Sequence, residues 1–235
     1  MERTSIAFLI GVAALLATAC SGRVVTAEEM GQPVDVRQDR KVAEREVTCK
    51  PAKPGCHSEH LRKGEACYRL ARQEAEAKKY YVCAATHLQM GVSQARDWTG
   101  LDRAQVYERL AESLWEWQIR EEGREAERVV KRLWETARAF TIAEPQSVAA
   151  VYFLASAQLA RAREAFLHPP PTPKKLTQKQ IRTRTTQTPC QQIKEIEGWL
   201  KNALPRTLGT RHEAPYQKLN AEVMEAKRVI PNCSS

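Results

Sequence analysis

The chain has 235 residues and a formal net charge of +9, with 37 Lys and Arg against 28 Asp and Glu. That length supplies one or two small domains with a real core; glycine is scarce (10 residues), and the β-branched runs that strands favour are few. Ala, Leu, Glu, Arg, Lys and Gln dominate the middle of the chain, and these side chains lose little entropy in a helix, so the expected class is all-α.

Residues 1–19 stand apart. Arg3 gives a positive start, and Ile6 to Leu16 is an uncharged apolar run. About 11 residues are too few to span a bilayer as a helix and suit the core of a signal peptide. Small residues Ala17, Thr18 and Ala19 follow, and then Cys20. The plainer alternative is cleavage after Ala19 with Cys20 simply next in line. The stretch "LLATACSGR" resembles the lipobox of bacterial lipoproteins, in which small residues precede a cysteine that is diacylated and becomes the new N-terminus. Ala17 departs from the usual leucine, although Leu16 stands one residue earlier. The resemblance implies a lipid anchor, palmitate among its chains, on Cys20 in a bacterial envelope. Ser21 is not the aspartate that resembles an inner-membrane retention signal, which implies the outer membrane on its periplasmic face.

With Cys20 assigned to the anchor, Cys49, Cys56, Cys67, Cys83, Cys190 and Cys233 remain. Six is an even number, and export places thiols where disulfides persist. Residues 20–57 carry three prolines downstream of the anchor, many charges and little apolar periodicity, so they read as a tether. A flexible chain of that length reaches roughly 30–35 Å.

Residues 58–166 read as the helical body. Leu61, Ala66, Leu70 and Ala71 recur at helical spacing, as do Tyr81, Ala84, Ala85 and Leu88. Val106, Leu110, Leu114 and Trp117 form a further face; Ala126, Val129, Val130, Leu133 and Ala137 form another, with Gly123 marking the turn between them. Pro145 is placed in the first turn of a third run. "YRLA", "YERLA" and "YFLA" set Leu-Ala pairs 40 and 44 residues apart, a period that marks stacked helical hairpins. With "GEACYRLA" at 64–71 the body resembles tetratricopeptide-type repeats or their cysteine-bearing Sel1-like relatives. That implies stacked antiparallel hairpins with a protein-binding surface; the alternative is an irregular all-α bundle.

Residues 167–188 form a second linker, with a proline cluster that favours an extended polyproline segment. Its basic run, Lys174, Lys175, Lys179, Arg182 and Arg184, suits anionic lipid, lipopolysaccharide or an acidic protein face. It lacks the interleaved aromatics expected of a nucleic-acid contact, and it reads equally well as a solvated linker. Residues 189–235 read as a last hairpin. Thr188 is the N-cap, Pro189 stands in the first turn, and Ile193, Ile196, Trp199, Leu200 and Leu204 share a face. Tyr216, Leu219, Val223 and Met224 follow, with Pro231 as the stop. The hairpin brings its two ends together, so Cys190 should pair with Cys233 and the module should cap the array.

The chemistry on offer is sparse. Cys49, Cys56, His57 and His60 could in type be metal ligands, but six residues separate the cysteines where zinc pairs favour two to four. Haem attachment needs Cys-x-x-Cys-His, and a disulfide is the expected state. Cys67 and Cys83 pair if a turn falls near residues 76–79; one continuous helix would hold them about 24 Å apart, leaving 56–67 with 49–83. Glu112-Ser113 resembles the pair that opens the catalytic region of many lytic transglycosylases, without their glycine-rich companion motif. His57, His60, His87, His168 and His212 form no nucleophile–base pattern. The expected function is a membrane-anchored periplasmic scaffold that binds another envelope protein, not an enzyme, with no cofactor, metal or nucleic acid. The rivals are a cell-wall enzyme using Glu112 and a small-ligand carrier lined by Tyr107, Trp115 and Trp117.

Overall fold

Eight α-helices hold most of the residues that the computed structural model describes, namely 35–49, 55–95, 102–169, 187–231 and 233, and no strand occurs among them. Helix α1 is Val36–Glu44, α2 Cys56–Ala71, α3 Ala77–Gln94, α4 Arg103–Gln118, α5 Gly123–Ala143, α6 Val148–Leu167, α7 Pro189–Ala203 and α8 Glu213–Val229. A short 3₁₀ turn, Leu204–Arg206, follows α7.

Local chemistry sets several of these starts. Asp102 accepts from Gln105 N at 3.0 Å, and Ser147 accepts from Ala150 N at 3.2 Å. Thr188 and Gln191 form a reciprocal capping box: Gln191 N donates to Thr188 Oγ1 at 3.2 Å and Thr188 N to Gln191 Oε1 at 2.8 Å. Each bond satisfies a backbone group that the first helical turn leaves open. Gly123 opens α5 at φ +58°, a left-handed conformation that a side chain resists. Helix α6 starts at Val148, later than the sequence suggests; Pro145 lies in the preceding turn and Ser147 is the cap.

The helices stack as antiparallel hairpins. Helices α2, α4, α6 and α8 form a row in which each touches the next. Helix α3 bridges α2 and α4, α5 bridges α4 and α6, and α7 bridges α6 and α8. The α2–α3 contact is the closest because glycines line it. A Cβ on Gly64 would stand 2.9 Å from Leu88 N and 2.7 Å from Leu88 Cγ; one on Gly91 would stand 2.4 Å from Leu61 Cδ2. The two contacts are reciprocal, each glycine receiving a leucine of the other helix.

Two cores meet at α6. Ala149, Ala150, Phe153 and Ala157 pack with α2–α5, while Ala155, Leu159 and Ala162 pack with α7 and α8. A helix buried from both sides needs apolar residues nearly all round, and "VAAVYFLASAQLA" supplies them. Helix α7 therefore packs against α6 as well as α8, and the C-terminal module completes the third hairpin as it caps the array. The Cys190–Cys233 disulfide, with Cα atoms 5.2 Å apart, closes it. Met224, expected on the apolar face, is 41% exposed.

Two further expectations need correction. The tether read at 20–57 contains α1, which docks on α2. Asp35 caps it by accepting from Arg37 N and Gln38 N, each at 3.1 Å. Asp39 on α1 takes a bidentate pair from Arg69 on α2, at 2.8 and 2.6 Å, beside buried Ala43. The lock is ionic, so apolar periodicity misses it. The Leu-Ala echo is also out of register. Row helices begin at 56, 103 and 148, which are 47 and 45 residues apart, whereas the echo steps by 40 and 44. Leu70-Ala71 closes α2, Leu110-Ala111 lies midway along α4, and Leu154 is only half-buried.

Candidate functional site

The row helices are joined by polar bridges between neighbours. Tyr68 on α2 donates its hydroxyl to Glu112 Oε2 on α4 at 2.6 Å. Arg109 on α4 pairs with Glu65 on α2 and stands 5.6 Å over the Tyr68 ring. Burial pushes the Glu65 carboxyl up, against the pull of Arg109 and Arg69. At the other end Tyr216 on α8 donates to Val148 O on α6 at 2.6 Å, and its ring lies 5.7 Å from that of Tyr152. Burial raises the Tyr216 hydroxyl far above the ordinary tyrosine value. Arg211 reaches Glu108 at 2.7 Å, tying the loop before α8 to α4.

These bridges explain the residues that sequence singled out for chemistry. Glu112 is half-buried and holds Tyr68. Trp117 is 8% exposed and donates Nε1 to Glu121 at 2.8 Å, while Trp115 packs on the same core. Tyr107 stacks on Phe140 with ring centroids 5.4 Å apart. Tyr107 also lines a hollow of about 280 Å³ with Gln89, Val92, Arg132, Glu135, Thr136 and Ala139. A second hollow, of about 200 Å³, lies between α1 and α2, with Lys41, Arg45, Arg62 and Lys63 on its walls. Neither hollow is lined by Glu112, Trp115 or Trp117.

The cysteines pair as neighbours in sequence. Cys49 joins Cys56 with Cα atoms 5.6 Å apart, and Cys67 joins Cys83 at 5.9 Å. The second pair requires the α2–α3 turn, which spans residues 72–76 without Gly or Pro and falls just ahead of the expected 76–79. A ligand atom of His60 lies within 4.8 Å of both Cys49 and Cys56 sulfurs, yet the sulfurs are bonded to each other and lack the thiolate charge that holds a metal. His57 is not drawn in; its Nε2 lies 3.2 Å from Ser58 Oγ.

His87 on α3 is the partner that His60 meets. Their Nδ1 atoms lie 2.8 Å apart, and the rings stack with centroids 5.1 Å apart. One nitrogen donates and the other accepts, so the two rings cannot both be imidazolium while the bond stands. Burial lowers His87 to about 4, with Lys63 and His60 adding; burial also lowers His60. Sequence gives no sign of this pair, because 27 residues separate the two. Cys20 and the basic run Lys174, Lys175, Lys179, Arg182 and Arg184 lie outside the described residues. Among the described residues, no helix is long and apolar enough to cross a membrane. In comparison with known proteins, the chain matches no family model, no curated protein and no solved structure.

Proposed function

We propose that this protein is a lipid-anchored scaffold or assembly factor of a bacterial envelope, binding another envelope protein through its stacked helices. The observation that carries the reading is the continuous row α2–α4–α6–α8. Arrays of this kind offer an extended surface to peptides and proteins. The hollows of about 200 and 280 Å³ fall below the roughly 300–1,000 Å³ of small-molecule pockets. The lipobox-like "LLATACSGR" supports attachment through Cys20, and Ser21 supports the outer membrane facing the periplasm.

Two experiments test the reading. Cys20→Ala should move the protein from the membrane to the soluble fraction, since acyl chains supply about 0.8 kcal/mol of membrane affinity per buried CH₂. A fatty-acid label should mark the wild type alone; a variant that still carries the label overturns the anchor. Photocrosslinkers placed along α4 and α6 in the intact envelope should trap one partner protein reproducibly. Crosslinks confined to bulk lipid, with no protein partner at any position, would overturn the scaffold.

A further inference from the structure

Several arginines of the helical array have carboxylates. Arg69 pairs with Asp39, Arg103 with Glu144, Arg109 with Glu65, Arg128 with Glu125 and Arg163 with Glu222. Arg138 on α5 and Arg161 on α6 do not: among the described residues neither forms an ion pair. Both instead stand over the Trp134 ring, with Cζ 4.7 Å and 4.3 Å from its centroid. Arg161 Nη1 donates to Gln158 Oε1 at 3.3 Å, and Gln158, 2% exposed, is fixed in turn by donating Nε2 to Gln187 Oε1 at 3.3 Å. Trp134 and Arg161 are half-buried and Arg138 is exposed. Glu135, the next residue along α5, has Lys131 as its partner at 4.0 Å.

A guanidinium over an aromatic ring can use its flat face for the ring and keep its in-plane N–H edge for an anion. That edge matches a carboxylate in a two-bond fork. Stacking also limits the rotamers of two long side chains, which lowers the entropy lost when a ligand arrives. The structure therefore offers two cationic groups standing over one apolar ring, neither of them in an ion pair with a carboxylate among the described residues.

We propose that Trp134, Arg138 and Arg161 form a docking surface for an acidic peptide segment of the partner protein. The inference rests on the scaffold reading and names the chemistry of what the scaffold binds. Charge decides the occupant. The chain's own linker at 170–186 holds five Lys and Arg and no Asp or Glu, so its charge has the wrong sign. A second copy of a chain at +9 is repelled as a whole. An acidic peptide supplies forked carboxylates to both arginines and side-chain carbons to the tryptophan.

The test uses the full chain with fluorescein-labelled decaglutamate as probe, read by anisotropy. The wild type should bind saturably, and less tightly as salt rises. Arg138→Gln/Arg161→Gln should weaken binding about tenfold or more, a loss expected when charge-assisted forks go. Arg124→Gln/Arg128→Gln removes the same charge from α5 and should stay within about twofold, as a change in overall field alone would. Trp134→Ala keeps the net charge and should also weaken binding, as should Arg138→Lys/Arg161→Lys, which keeps charge without the planar fork. Thermal melts of each variant show that the array is intact. Equal losses in the two glutamine pairs, or no saturable binding by the wild type, overturns the proposal. If decaglutamate fails while photocrosslinks along α4 still trap a partner, this surface falls and the scaffold reading stands.

Discussion

At the scale of single residues, the α2–α3 contact depends on two missing side chains. Gly64→Ala forces a methyl to within 2.9 Å of Leu88 N, a backbone atom that cannot rotate away. We expect a net loss of about 1–3 kcal/mol, the usual cost of overpacking a close contact. Gly198→Ala on α7 is the control, because nothing lies within 4 Å of its Cβ. It should gain about 0.5–1 kcal/mol from better helix propensity. Denaturant midpoints moving the same way for both would show that crowding is not the cause. The His60–His87 pair sets a pH dependence. His87 is lowered from 6.5 to about 4 in the fold, so on acidification the unfolded chain takes up that proton first. The pair's contribution is complete above pH 6.5, declines as pH falls toward 4, and its loss levels off below that. His87→Gln should flatten this part of the stability curve relative to wild type; parallel curves would refute it.

At the scale of elements, the C-terminal disulfide closes a loop of 43 residues' separation. In the chain-entropy model that is worth about 4 kcal/mol. Cys190→Ser/Cys233→Ser should therefore speed hydrogen exchange over α7 and α8 while α2–α5 stay protected, since their cores are separate clusters. Uniform acceleration along the whole chain would contradict that division. Helix α1 has a different fastening. Asp39→Ala removes the carboxylate that Arg69 grips, at a cost of about 1 kcal/mol because the Arg69 side chain is 41% exposed and reaches water. Exchange should rise over 36–44 and nowhere else; an unchanged α1 would mean that Ala43, Val36 and the Arg40–Glu74 pair hold it without Asp39. The contrast shows what was legible in sequence. Ile193, Ile196 and Leu200 announced α7 through their spacing, and Thr188-Pro189 announced its start. Helix α1 was silent because its contact leans on charge pairs, Arg69 with Asp39 and Arg40 with Glu74, rather than on a periodic apolar face. Trp134 and its arginines were silent too, since Arg161 comes from the next helix and only the packing of α5 on α6 brings it over the ring.

At the scale of the whole molecule, the array was legible as a class and illegible as a register. Composition and the tyrosine–leucine–alanine echo both pointed to stacked hairpins, yet the row helices step by 47 and 45 residues. The echo marked residues that helices favour rather than equivalent positions. The order of the disulfides has a consequence for biogenesis. Cys49 joins Cys56, Cys67 joins Cys83 and Cys190 joins Cys233, so these six cysteines form three consecutive pairs along the chain. Under the proposed export, a chain threaded through a membrane amino end first presents these thiols in that same order. With Cys20 taken up by the proposed anchor, an oxidase that joins whichever two thiols emerge together makes this set at once, with no wrong bond to undo. Maturation should accordingly need an oxidant but no disulfide isomerase, and the yield of folded protein in a strain lacking the isomerase should match that of its parent.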